Sequence, residues 1–472
     1  MRPSMRSFVR PVTPGSGRPT RRPVRPGLAV LAALGVAALG LVACGDGQQT
    51  AEQRAGGKVT ITVNALPAAT DKVNRDKFLA DVAEFEAANP DIDVDAREGK
   101  MDPQTFAARL AGGQLEDVFY VYFTDPANLI AKRQVADISP YVDEFPAIKQ
   151  IRPELRQVFT GPDGKVYGLP WTNYSMGLLY NRALFTRAGL DPDDPPDSWD
   201  EVRAAARKIA ALGPDVVGYG DYSKSNTGGW HFAAELFSIG GEMAAKDGGT
   251  WKAKFNDDKG RQVLRQLHDM RWTDNSMGER QLLEWADLLQ LMASGKLGMY
   301  IATSDNIPTI VNQYKGDYTL YGLGPMPGGK GTLTGGDGFM FNAKASPEKI
   351  RAGLKWLTFK FANPDRIAAD KKFDKDNNLP VGLPEPNIWT GDAAAAHEKA
   401  TEEHTNTPQE NYAPFVEGTP GIPLMIEPPN AQQIYAVLDT VMQKVLTDRD
   451  ADLDRLLADA QRQVDSILAS VT

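Results

Sequence analysis

Apolar and polar residues alternate along Val59-Thr-Ile-Thr-Val63 with the period of a strand, and Asn64 closes the run. Phe78, Leu79, Val82 and Phe85 then recur at helical spacing until Asn89-Pro90 stops them. Ile92-Asp-Val94 predicts a second strand. Asp102-Pro103 sets an N-cap before a first-turn proline, so a helix is expected through Phe106 and Leu110 as far as Gly112-Gly113. Asp117-Val-Phe-Tyr-Val-Tyr122 is nearly all apolar, the pattern of a strand covered on both faces. This β-α-β-α-β order predicts an α/β fold, a parallel sheet with right-handed crossovers. Farther on, Ser198-Trp-Asp-Glu201 has the spacing of a capping box for a helix through Ile209. Gln281 to Met292 reads as an amphipathic helix with Leu282, Trp285, Ala286, Leu289 and Met292 on its apolar face, which assigns Trp285 to the core.

Ligands of such sheets lie beyond the carboxyl ends of the strands. Asn64 and the turn Tyr122-Phe-Thr124-Asp125 are therefore candidate binding residues.

The first 43 residues carry seven arginines and no acidic residue, and their apolar run from Gly27 ends at Leu41-Val42-Ala43-Cys44. Residues 1–43 are read as an export signal and kept apart from the fold. The closing tetrapeptide resembles the bacterial lipobox, whose cysteine is acylated and becomes the new N-terminus. Cys44 is the chain's only cysteine, so no disulfide is expected. Two or three acyl chains anchor lastingly where one holds only marginally. Residues 44–57 have too little apolar surface to pack and read as a flexible tether. No later apolar run approaches spanning length, so a soluble body held to the membrane through its lipid alone is expected.

Removing the seven arginines takes the formal net charge from −9 to −16, which disfavours nucleic acid as a partner. A neutral solute is indifferent to that charge. Even without its leader, the 472-residue chain exceeds what one hydrophobic core usually supports, so two lobes are expected.

The stretch Asp163-Gly-Lys-Val-Tyr-Gly-Leu-Pro-Trp-Thr-Asn-Tyr-Ser-Met-Gly-Leu-Leu-Tyr-Asn181, with Ala188-Gly-Leu190 and Pro196-Asp-Ser-Trp-Asp-Glu201, resembles the signature of extracellular solute-binding protein family 1, which includes the maltose-binding proteins. Ala293-Ser-Gly-Lys-Leu-Gly-Met-Tyr300, Tyr321-Gly-Leu-Gly-Pro-Met-Pro327, Gly335-Gly-Asp-Gly-Phe339 and Ala345-Ser-Pro-Glu-Lys349 extend the resemblance over the mature chain. It implies a type II periplasmic-binding-protein-like fold, with lobe 1 at 58–169 and 341–385 and lobe 2 at 170–340 and 386–472. Crossings are expected near Gly168-Leu-Pro170, near Gly335 to Phe341 and after Leu383. It further implies an extracytoplasmic receptor that closes on a small-molecule carbohydrate and delivers it to the permease subunits of an ABC transporter, without chemistry and without a cofactor.

A sugar presents hydroxyls at its rim and C–H patches on its faces, so its receptor needs aromatic platforms beside amide and carboxylate partners. Trp171, Asn173 and Tyr174 offer these within four residues. In the family the position of Tyr174 faces the cleft; the alternative is that Trp171 and Tyr174 pack the interface between lobes. Trp230 follows Ser225-Asn-Thr-Gly-Gly229 and is expected on a loop, as a platform. Asp305 stands near where sugar binders of the family often place a tryptophan, and Ile434 replaces another expected aromatic, which argues against a simple maltodextrin specificity. Asp337, flanked by glycines, is either a ligand partner or a turn aspartate.

Enzymatic and metal readings fare worse. Gly324-Pro-Met-Pro-Gly-Gly-Lys-Gly331 approximates a phosphate loop, but its prolines lack the N–H donors and Gly331 replaces the Mg²⁺-binding hydroxyl. No G-x-S-x-G elbow occurs, and His231, His268, His397 and His404 show no metal spacing. Asp374 to Glu385 matches a calcium loop at several positions, yet Leu379 sits where glycine is required. The alternatives of another class are a lipid-anchored glycoside hydrolase or lyase, and the same fold binding a polyol, peptide or polyamine.

Overall fold

The computed structural model describes residues 57–469; the leader, Cys44 and most of the tether lie outside the described residues. Strands in chain order are β1 (Val59–Leu66), β2 (Ile92–Glu98), β3 (Val118–Tyr122), β4 (Gly168–Ser175), β5 (Gly177–Asn181) and β6 (Val217–Tyr219). They continue as β7 (Ala244–Asp247), β8 (Thr250–Ala253), β9 (Leu297–Ala302), β10 (Tyr321–Gly324), β11 (Thr332–Phe341) and β12 (Leu424–Ile426). One sheet has the order β12-β11-β3-β1-β2, with β4 also on β11; the other runs β10-β5-β9-β6. β1 pairs parallel with β2 and β3, as the alternation predicts. β11 lies antiparallel to β3, so each main sheet is mixed rather than wholly parallel.

Each sheet has its own core. Val63, Phe85, Val118, Tyr120, Leu169, Phe339 and Trp356 belong to the first, and Met176, Val202, Phe232, Met299, Leu333, Ile434 and Val464 to the second. β4 and β11 pair antiparallel from Gly168↔Met340 to Ser175↔Thr334 and carry the chain from one core to the other. β4 runs from Leu169 in the first core to Tyr174 packed against the second, and β11 runs from Leu333 in the second core to Phe339 in the first.

Local chemistry explains the element ends. Asp71 caps helix Lys72–Ala88, and Ser198 with Glu201 completes the expected capping box of Trp199–Ala210. Ser346 caps Pro347–Ala362, and Lys349 in its first turn reaches Asp117 at 2.9 Å, which ties that helix to the start of β3.

Two expectations change. Leu79 is 44% exposed, because Phe78, Asp81, Val82 and Phe85 form the buried face and the stripe is narrower than its apolar residues imply. The helix expected from Gln281 starts at Trp285, after Leu282 adopts a positive φ of 59° that a continuous helix does not allow. Ile388 O accepts from Arg152 N, Trp389 packs on the first core, and helix Gly391–His404 contacts elements of the first core. Leu383, Tyr412 and Phe415 pack against the core of the second sheet.

Candidate functional site

A cleft of about 400 Å³ is lined from both lobes. Lys100, Met101, Asp102, Tyr120 and Tyr122 come from the first, Tyr174 and Asp337 from the crossing strands, and the rest from the second. Six aromatic rings face it: Tyr120, Tyr122, Tyr174, Trp230, Trp285 and Tyr435.

Tyr122 ends β3, directly opposite Asp337 on β11, and its hydroxyl donates to Met101 O at 3.2 Å. Tyr120 and Tyr122 meet edge to face at 5.8 Å, and the Lys100 ammonium lies 5.4 Å from the Tyr120 ring centre. Asp337 is buried and accepts from the Thr172 hydroxyl at 3.2 Å; burial raises its carboxyl above the ordinary range.

Trp230 lies in the first turns of helix Thr227–Ser238, so the expected loop is a helix. The glycines before it serve packing instead: a Cβ on Gly229 would stand 2.4 Å from the Tyr435 backbone. Asp439, on helix Ala431–Thr447, accepts from the amides of Asn226 at 2.8 Å and Gly229 at 2.9 Å, capping the helix that carries Trp230. The rings of Trp230 and Tyr174 stand 6.1 Å apart at 86°.

Trp285 is 36% exposed and donates from Nε1 to Asn306 Oδ1 at 3.0 Å, so it belongs to the cleft rather than the core. Starting the helix at 285 puts its indole in the first turn, at the rim, which the assumed longer helix concealed. Asp305 precedes helix Asn306–Tyr314 and accepts from the Thr303 hydroxyl. Glu427 follows β12 and accepts from Tyr435 at 2.9 Å; burial pushes its carboxyl up to about 8, and nearby Asp125 and Asp337 add to the rise.

Of the ten residues expected to bind, Tyr122, Tyr174, Trp230, Asp305 and Asp337 line this cleft. Asn64 is buried, its Oδ1 accepting from Tyr120 N at 2.7 Å, and so orients the strand behind the cleft. Asp125 turns back to accept from Tyr122 N at 3.0 Å, and burial lifts its carboxyl to about 7. Thr124 is not among the cleft residues. Trp171 stacks on Phe339 at 5.3 Å and lies 4.7 Å from Phe361, and with Asn173 it faces a different cavity. The reason is the strand's period of two: residues 171 and 173 point away from the face that Tyr174 shares. That period was a signal available in the sequence.

Sequence reasoning missed Lys100, Tyr120, Asn226, Trp285, Glu427, Gln432 and Tyr435. Ile434 is fully buried, while Gln432 and Tyr435, three apart on one helix face, reach the cleft. Among the described residues no cluster of three or more His, Cys, Asp or Glu is placed to hold a metal, and Asp374 to Asp376 form a helix end rather than a calcium loop. No described helix is long and apolar enough to cross a membrane.

Residues 71–362 match the bacterial extracellular solute-binding protein family. A binding protein of Brucella abortus is 25% identical over 402 residues, covering 81% of this chain and 88% of that one. The sn-glycerol-3-phosphate-binding periplasmic protein of Brucella melitensis is 26% identical over 248 residues, covering 50% and 53%. An ABC transporter solute-binding protein of Thermotoga lettingae, solved with α-D-tagatose, superposes with a TM-score of 0.68 at 22% identity, covering 87% of this chain and 100% of that one. With a two-lobed fold of the maltose-binding type and a cleft lined from both lobes, the chain belongs to the bacterial extracellular solute-binding protein family, the non-catalytic receptors of ABC transporters.

Proposed function

We propose that this protein is the receptor for a neutral mono- or oligosaccharide in an ABC importer, anchored outside the membrane by a lipid on Cys44. It captures the sugar between its lobes and presents the closed form to the permease. The proposed rigid bodies are 58–169 with 341–404 and 176–333 with 407–469, with the paired strands β4 and β11 as the hinge.

The observation that carries the reading is the lining of the cleft: six aromatic rings beside Asn226, Asn306, Gln432 and four carboxyl groups. Rings stack on C–H faces, and amides and carboxyls take hydroxyls. The volume is within the ~300–1,000 Å³ of small-molecule sites. The Brucella relative's glycerol phosphate is less well suited, because Lys100 is the one cation among the described residues lining the cleft, against Asp102 and Asp305 and the buried Asp337 and Glu427.

A thermal-shift screen of sugars, polyols and sn-glycerol-3-phosphate tests the proposal. The correct sugar at 100 times its Kd should stabilise by about 2.7 kcal/mol. Stabilisation by the phosphate ester alone, or by no sugar, would overturn it.

A further inference from the structure

A second cavity, of about 500 Å³, shares no lining residue with the cleft. Its walls come from both lobes: Asn74, the end of helix Pro364–Asp376 and helix Gly391–His404 on one side, Pro308 and Asn312 of helix Asn306–Tyr314 on the other. An adjoining space of about 310 Å³ shares Lys371, Asp374, Glu385, Asn387 and His397 with it and extends to the rings of Trp171, Phe361 and Trp389. Trp171, too far round the strand to serve the sugar cleft, is thus part of this second space.

Acidic groups outnumber basic ones here, although burial raises Glu385 and lifts Asp374 to about 6, and the adjoining space adds Lys360 and Asp370. Asp374, Glu385, Glu398 and Glu402 line the cavity against Lys371. None of these five forms an ion pair within 4.0 Å with any described residue. Burial lowers His397 to about 4, so it adds no positive charge at neutral pH. An independent observation points to an occupant. Asn312 is only 8% exposed, lines the cavity, and its Oδ1 has no hydrogen-bond partner. Thr401 Oγ1 and Asn387 Nδ2 are likewise buried and unpartnered in the same wall. A buried acceptor left without a donor is unfavourable, so a ligand that donates there gains what the wall lacks.

The carboxylates are too dispersed for one metal ion: no described group of three or more acidic, His or Cys side chains is placed to hold one. Separated carboxylates, an amide oxygen and indole faces suit an elongated cation with several N–H donors, since ammonium groups bind carboxylates and aromatic faces alike. We propose that this hinge-side cavity is a second binding site, distinct from the sugar cleft, for an organic polyamine-class cation. Because its walls belong to both lobes, an occupant couples to their relative position and so to sugar affinity, by the same factor in each direction.

Calorimetric titration of the purified protein with spermidine, in buffer of physiological salt, tests the site. One saturable event is expected. The Glu398→Gln/Glu402→Gln variant, altered only at exposed helix positions, should keep its circular dichroism and melting temperature while losing tenfold or more in spermidine affinity. Trp230→Ala should bind spermidine as the parent does. No saturable binding, equal affinity in the double variant, or loss in Trp230→Ala, which would put the amine in the sugar cleft, each overturns the proposal. These readouts need no sugar, so they stand or fall apart from the carbohydrate assignment.

Discussion

The ring of Tyr174, on a crossing strand, meets that of Trp230, on a second-lobe helix, edge to face at 6.1 Å and 86°. The hinge and the aromatic wall of the cleft are therefore in direct contact, while Trp171, three residues earlier, stacks in the first lobe at 5.3 Å from Phe339.

The two tryptophans should separate binding from stability. Trp230→Ala is expected to weaken sugar binding by ~1–3 kcal/mol, the scale of a stacking platform, with little change in ligand-free melting. Trp171→Ala should instead lower the melting temperature, by the ~3–5 kcal/mol typical of a large buried aromatic or somewhat less for its partial exposure, and leave sugar affinity near the parent value. Titration and scanning calorimetry on both variants check this; the opposite pattern would return Trp171 to the sugar site.

Asp439 holds the helix that presents Trp230. Its replacement by alanine leaves the Asn226 and Gly229 amides without their acceptor and should cost ~0.5–2 kcal/mol of stability, as lost caps do. Sugar affinity should fall as well, although Asp439 does not line the cleft. Unchanged affinity would mean that Trp230 is positioned without this cap.

Asp81 is fully buried beneath three cations, accepting from Lys77 at 2.7 Å and pairing with Lys360 and Arg366. Asp81→Asn removes the one fully buried acid of the network, leaving Lys77, Lys360 and Arg366 to share only Asp370 and Glu84, and should destabilise by ~3–5 kcal/mol. Denaturant unfolding is expected to show a lower midpoint at similar slope. A loss as small as that of an exposed pair, under ~1 kcal/mol, would show the network to be well solvated.

Glu427 carries a pH dependence of definite sign. Its carboxyl titrates near 8 in the folded protein against an ordinary 4.5, so the folded state holds a proton that the unfolded state releases between those values. Stability from this group is fully present below about 4.5 and declines as pH rises towards 8. Glu427→Gln keeps an acceptor for Tyr435 and removes the titration. Its melting temperature relative to the parent should therefore climb from pH 4.5 to 8; a flat difference contradicts the assignment.

Cys44→Ser should shift the protein from the membrane fraction to the soluble one with unchanged melting, since no described helix is long and apolar enough to span. An unchanged membrane pool would rule out the lipid anchor.

Several features were determined by the sequence alone, because they depend on neighbours along the chain. The alternation at Val59 to Val63, the apolar run through Tyr122 and the Ser198–Glu201 capping box each became the expected element. Local hydrogen bonds and period-two burial need no knowledge of the rest of the fold. The family resemblance also turned Tyr174 toward the cleft, whose lining it joins, while the glycines around Asp337 left it open between a ligand partner and a turn.

Tertiary structure decided the remainder, because burial and facing depend on what packs from elsewhere. Gly228-Gly229 resembled a loop until a helix some 200 residues later in sequence, carrying Tyr435 and Asp439, approached closely enough to require glycine there. Trp285 read as core because a helix was assumed to begin at Gln281, and only the actual start, after Leu282, put its indole at the rim. Tyr120 and Glu427 share the cleft through pairings of β3 with β11 and β11 with β12, as between Tyr122 and Asp337 or Thr332 and Leu424, contacts between segments far apart in the chain that no local pattern encodes.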